Sequence, residues 1–137
     1  MKSEFVIVES PYRNKDKEIV LRNIRFARAC LRDCLLVGEI PFASHLLYTQ
    51  LGILDDEDNA ERFLGINAGL SLVKSANRTV VYDNYGISTG MKYGIENAGK
   101  AGRPIEYRKL SEDWENQQNE IIRNHSDSKL WGIILDK

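Results

Sequence analysis

Thr79–Ala98 reads TVVYDNYGISTGMKYGIENA, and the fold is decided by how this stretch is parsed. Thr79, Val80, Val81 and Tyr82 are β-branched or aromatic, the residue types that suit a buried strand. Asp83–Thr89 is a polar loop containing Gly86. From Gly90 onward, Met91, Gly94, Ile95 and Ala98 recur at helical spacing. A strand, a hydroxyl-bearing loop and a helix in that order place unpaired N–H groups and the positive end of a helix dipole at a strand terminus. Ser88, Thr89, Gly90 and Met91 are therefore candidate ligands for a phosphate or another anion. An ordinary Ser/Thr-capped turn is an equally good reading of the same residues.

The beginning of the chain repeats the pattern. Phe5–Val8 is a continuous apolar run, as a central strand covered on both faces requires. It leaves through Glu9, Ser10, Pro11, Tyr12, Arg13 and Asn14, where Pro11 ends strand pairing. Arg13 is a permanent, planar donor for phosphate or carboxylate, unless it is a solvated loop charge. Lys15–Leu36 reads as a helix with Val20, Ile24, Ala27, Leu31 and Leu35 on its apolar stripe, and Gly38 ends it. Ile40-Pro41-Phe42 looks extended, and Ala43–Leu51 contains a short helical turn. His45 lies there, as a ligand contact or as a hydrogen-bonded structural residue.

The run Asp55-Asp56-Glu57-Asp58 suits a helix N-terminus, with Asp58 able to cap. It lacks the alternating ligands and turn glycine of a calcium loop. Asn59–Ala76 reads as a second long helix on which Asn67 is the polar member of a broad face, a ligand contact or a buried hydrogen-bonding group. Pro104–Tyr107 is a further strand. Strands alternating with helices imply an α/β fold: a compact, doubly wound, Rossmann-like parallel sheet with helices on both faces and ligands at the carboxyl ends of the strands. Glu9–Asn14 and Asp83–Thr89 both leave such ends. Residues 1–110 are expected to form this domain. Residues 111–137 are expected to be an appendage, helical over Ser111–Asn124 and apolar at Leu130–Leu135, packing on the domain or on a neighbouring subunit.

Composition narrows the function. The 137 residues are 42% hydrophobic, enough for one core. A formal net charge of −1 argues against a general nucleic-acid binder. No apolar run approaches membrane-spanning length, and MKSEFVIVES is a poor signal peptide, so a cytoplasmic protein is expected. Cys30 and Cys34 are four apart in a helical pattern, a poor disulfide pair without the partners a zinc site needs, so neither a metal nor a cofactor is expected.

Three segments together resemble the nucleoside 2-deoxyribosyltransferase superfamily, including its nucleotide N-glycosidase branch and small phage-encoded relatives. They are Ile7–Asn14 (IVESPYRN), Pro41–Leu47 (PFASHLL) and Gly86–Ala98 (GISTGMKYGIENA) with the PIEY strand after it. The resemblance implies a nucleoside or nucleotide ligand and a dimer or larger homo-oligomer, in the host cytoplasm if the chain is phage-encoded. It also implies a helix glutamate, four residues after the motif glycine, that attacks the sugar C1′. Four residues after Gly90 stands Gly94, which has no side chain. Glu96 is two positions further, about 200° round the helix. The loss of bulk at Gly94 is expected to widen the pocket. Catalysis then falls to a displaced Glu96, or to Glu9 or Asp83 at the strand ends, or the ligand is bound and never cut. The expectation is a nucleotide-binding protein that sequesters a signalling nucleotide, as an anti-defence protein would. The alternative is an N-glycosidic bond hydrolase or 2-deoxyribosyltransferase.

Overall fold

A computed structural model of the chain describes residues 3–124. Phe5–Glu9 (β1) lies inside a four-stranded, all-parallel sheet of order β2-β1-β3-β4. The other strands are Ile40–Phe42 (β2), Arg78–Tyr82 (β3) and Ile105–Arg108 (β4). The fold is the α/β, Rossmann-like one expected from alternating strands and helices. β2 adds a strand beyond the three alternating ones. Pro41 sits in its middle opposite Val6, which is tolerable because β2 is an edge strand.

Successive side chains of a strand point to opposite faces. Val6, Val8, Val80 and Tyr82 pack with Phe26, Cys30 and Cys34 of the helix Lys17–Leu36 (α1). Ile7, Thr79 and Val81 face the other way, beneath the helix Thr89–Lys100 (α4), which packs on β1, β3 and β4. Asp16 caps α1 by accepting the Glu18 N–H at 2.9 Å. The buried residues of α1 are Asn23, Phe26, Ala27, Ala29, Cys30 and Cys34; of the expected stripe Ala27 is buried and Leu31 packs on the core, but Leu35 is 60% exposed and the centre of the buried face is shifted. The reason is polar. The Asn23 side chain goes inward because its amide donates to the Tyr12 carbonyl at 3.0 Å. Both cysteines are free and buried, and Cys34 Sγ lies 3.3 Å from the Tyr82 hydroxyl. Burial raises both thiol pKa values, that of Cys34 to about 11.

From β2 the chain passes through a short helix, Ser44–Leu47 (α2), and then Asn59–Leu72 (α3). Asp58 caps α3, accepting from Ala60 and Glu61 N–H groups. A 3₁₀ turn, Val73–Ser75, leads into β3 on the far side of β1. The chain thus winds one way from β1 to β2 and the other way to β3 and β4. Ligands bind outside the carboxyl ends of strands at such a reversal. The final helix, Trp114–Arg123 (α5), packs on α1, with Trp114 edge-on to Phe26 at 5.1 Å and Arg25 3.1 Å from Glu115. The strand or subunit contact expected of Leu130–Leu135 lies outside the described residues.

Candidate functional site

β1 and β3 are hydrogen-bonded neighbours with Glu9 opposite Val81, so the loops that leave them start side by side. The β3–α4 loop is fixed by three side chains. Asp83 takes Lys109 Nζ at 2.7 Å, Asn84 exchanges hydrogen bonds with the Leu110 backbone, and Tyr85 swings under α1. There the Tyr85 ring meets Phe26 at 5.0 Å, carries the Arg22 guanidinium 3.7 Å from its centroid and accepts a hydrogen bond from the Trp114 indole at 3.0 Å. Gly86 then turns the chain with φ +81°, a conformation that favours glycine. Ser88 is the N-cap of α4, its hydroxyl accepting the Met91 N–H at 3.3 Å. Met91 is buried, while Thr89 and Gly90 are exposed in the first turn of α4, where backbone N–H groups lack a helical partner.

The β1 loop is held as firmly. Ser10 is buried and its Oγ lies 3.0 Å from His45 Nε2. The Tyr12 ring is 5.8 Å from that of His45, and Pro11 is buried beside it. Burial pushes the His45 pKa down to about 4, so its ring is neutral at physiological pH. Arg13 reaches Asp56 at 3.6 Å, a carboxylate it shares with Arg62.

Glu9 is the residue that the tertiary structure makes unusual. Its side chain leaves the last position of β1 on the face covered by α4. It ends against Gly94, where a Cβ on that glycine would collide with Glu9 Cδ and Oε2 and lie 2.7 Å from Oε1. The missing side chain at Gly94 therefore does not widen the pocket: the strand's own glutamate occupies the space. Among the described residues nothing hydrogen-bonds to this carboxyl, whose edge keeps some contact with solvent. Burial raises its pKa to about 8, against a smaller opposing pull from the charge of Arg103. It is protonated at neutral pH and can donate a proton.

The other acidic candidates lie differently. Glu96 is exposed on the solvent side of α4, as its half-turn offset from Gly94 requires, and Asp83 is engaged by Lys109. Asn67 is not at the rim; it is exposed on α3 and lines a groove with Asn97 and Lys100 near the last turn of α4. Ser10, Pro11, Tyr12 and His45 form one cluster, and Ser88, Thr89, Gly90 and Met91 another, at adjoining strand ends. Two residues were missed from the sequence. Tyr85 fixes the loop, and Arg103, buried between Gly102 and Pro104, binds Thr79 Oγ1, the Val73 carbonyl and Asn97 Oδ1. The signal for Arg103 was a cation set between two chain-turning residues just before a strand. Among the described residues no cluster of His, Cys, Asp or Glu is arranged to hold a metal, and no helix is long and apolar enough to cross a membrane.

Comparison with known proteins agrees with this architecture. A solved structure from a study of the 2-deoxyribosyltransferase of the psychrotolerant bacterium Bacillus psychrosaccharolyticus superposes with a TM-score of 0.54 over 92% of this chain and 95% of that one, at 20% identity. The likeness is one of fold. No curated protein matches the sequence. The profile of the domain of unknown function DUF7768 matches residues 4–108, and the chain belongs to that family.

Proposed function

Taking that membership and the deoxyribosyltransferase-like fold as premises, we propose that the protein binds a nucleoside or nucleotide where β1 and β3 end and hydrolyses its N-glycosidic bond with Glu9 as general acid. One observation carries this reading: a carboxyl from β1, held toward its neutral form by burial, fills the space left by the missing side chain on α4. In the proposed step the C1′–N bond breaks, Glu9 gives its proton to the departing base, and water forms the new C1′–O bond. The proton released by water returns to the Glu9 carboxylate. The free N–H groups of Thr89 and Gly90 are suited to a phosphate of the ligand. Hydrolysis is favoured over sugar transfer, because a transferase needs an ionised carboxylate nucleophile and Glu9 holds its proton at neutral pH.

The test is incubation with purine and pyrimidine 2′-deoxynucleosides and their 5′-monophosphates, followed by chromatography for free base. Glu9→Gln should lower base release by about 100-fold or more. Glu9→Ala combined with Gly94→Glu should recover part of it. Undiminished release by Glu9→Gln removes the assignment. A second reading, capture without cutting and hence sequestration of a nucleotide signal, is supported by the position of the Glu9 carboxyl against the α4 backbone rather than in the open rim. Calorimetric binding with full recovery of intact ligand would select it.

We also propose that the chain works as a homo-oligomer. Leu51 is 90%, Phe63 62% and Leu64 59% exposed, so α3 and the segment before it offer an apolar surface that a lone subunit leaves in water. Sedimentation showing only a monomer at micromolar concentration would end this part.

A further inference from the structure

At the end of α4 opposite the strand-end rim, α3, the 3₁₀ turn and the α4–β4 loop border an open groove of about 470 Å³. Lys74, Lys100 and Arg103 line it, with Ser71, Asn67 and Asn97 as neutral polar groups, Leu70, Val73 and Ala101 as apolar ones, and no carboxylate. Lys74 and Lys100 are exposed, and among the described residues neither makes an ion pair. Arg103 is 9% exposed, and its three hydrogen bonds all go to neutral acceptors. A buried guanidinium normally has a carboxylate partner, since an uncompensated buried charge is costly. Here no carboxylate oxygen lies within salt-bridge distance of it, among the described residues.

Helix carbonyl ends do not account for the charge. The last turns of α3 and α4 point to this region, and each terminus is worth about −0.5 charge. The two termini together amount to about one negative charge against three cations, two of them solvated, so the groove stays net positive. Glu9 acts on Arg103 through space only, without coming within ion-pair distance of it among the described residues.

We propose that this groove is a second ligand site, separate from the strand-end rim, for a small molecule bearing at least two phosphate charges. Arg103 supplies a fixed donor plane at its floor, Lys74 and Lys100 supply mobile charges at its lips, and Ser71 and the two asparagines complete the polar wall. A nucleic-acid strand is the poorer fit, because the cations are confined to this one groove and the chain's net charge is −1.

Inorganic pyrophosphate titrated into the ¹⁵N-labelled full chain, followed by amide shifts, tests the site. Saturable shifts at Ser71, Lys74, Asn97 and Lys100 are expected. Lys74→Glu combined with Lys100→Glu, two exposed positions, should weaken binding at least tenfold while the rest of the spectrum stays folded. Shifts confined to Ser88–Gly90, no saturation, or unchanged affinity in the double variant would each overturn the proposal. Tighter binding of a short single-stranded oligonucleotide at the same amides would overturn the small-molecule assignment. None of these readouts depends on Glu9 or on base release.

Discussion

Helix α4 covers two buried ionisable side chains of opposite sign, and they are handled in opposite ways. Under its last turns, Arg103 is met by a hydroxyl, a backbone carbonyl and a side-chain amide. Near its middle, Glu9 is met by the bare backbone of Gly94 and by no hydrogen-bond donor among the described residues. Burial lowers the pKa of Arg103, but from so high a starting value that it keeps its proton and charge. Burial raises the pKa of Glu9 to about 8, so the acid takes up a proton and is neutral. A charge can be kept inside a protein where partners are supplied; where they are not, the proton moves instead. Under the last turns of the helix the buried group keeps its charge; near the middle it gives the charge up by holding a proton.

The contrast can be broken most severely at the arginine. Arg103→Met should cost about 3 kcal/mol or more in a urea titration, because it orphans three acceptors that join the 3₁₀ turn, β3 and α4. A loss below about 1 kcal/mol would mean that those bonds are not holding the three elements together.

At the glutamate the effect should appear as a pH dependence. The folded pKa of Glu9, about 8, lies above its ordinary value of 4.5. The folded protein therefore keeps a proton that the unfolded chain releases, and this contribution to stability is full below about 4.5 and lost as pH rises through about 8. His45 has the opposite slope: its pKa falls from 6.5 to about 4, so stability is present above 6.5 and declines as pH falls through about 4. The two oppose each other between pH 4.5 and 6.5, and only the fall due to Glu9 remains from there to pH 8. Glu9→Gln should abolish that fall and leave the variant more stable at pH 8.5 by on the order of 2–3 kcal/mol, allowing for partial solvent contact. Parallel stability curves for the two proteins across this range would contradict the burial of an acid without partners.

The smallest change in stability comes from the position that sharpens the comparison most. Gly94→Ala should alter stability by less than about 1 kcal/mol, since a helical alanine gains about what displacing the Glu9 side chain costs. It should nevertheless drive the carboxyl out of its niche. The measurement is the Glu9 carboxyl titration by ¹³C NMR, which should move toward the ordinary carboxylate range. An unmoved titration would show that the carboxyl does not depend on the space above Gly94.

Much of this was legible in the chain itself. The apolar run Phe5–Val8 and the β-branched start of Thr79–Tyr82 mark buried strands, because only a strand covered on both faces omits alternation. Asp58 and Ser88 mark helix starts, because an unpaired N–H needs an acceptor. The absence of a side chain at Gly94 was visible as a count along the helix. The stripe of α1 was only partly right: Ala27 and Leu31 face the core and Leu35 does not, since periodicity counts hydrophobic letters and gives no weight to the inward, hydrogen-bonded Asn23. Asn67 was ambiguous for a related reason: on a helix as broadly apolar as α3, spacing does not say which side meets a neighbour.

Local patterning, then, determined the strands and the capped helices, because each follows from interactions between residues close in sequence. Only the tertiary structure could decide that Glu9 fills the place of a side chain at position 94, or that Arg103 sits buried with no carboxylate beside it. Both facts depend on groups far apart in the chain meeting beneath one helix, and a proton's affinity for a carboxyl is set by what surrounds that carboxyl in space.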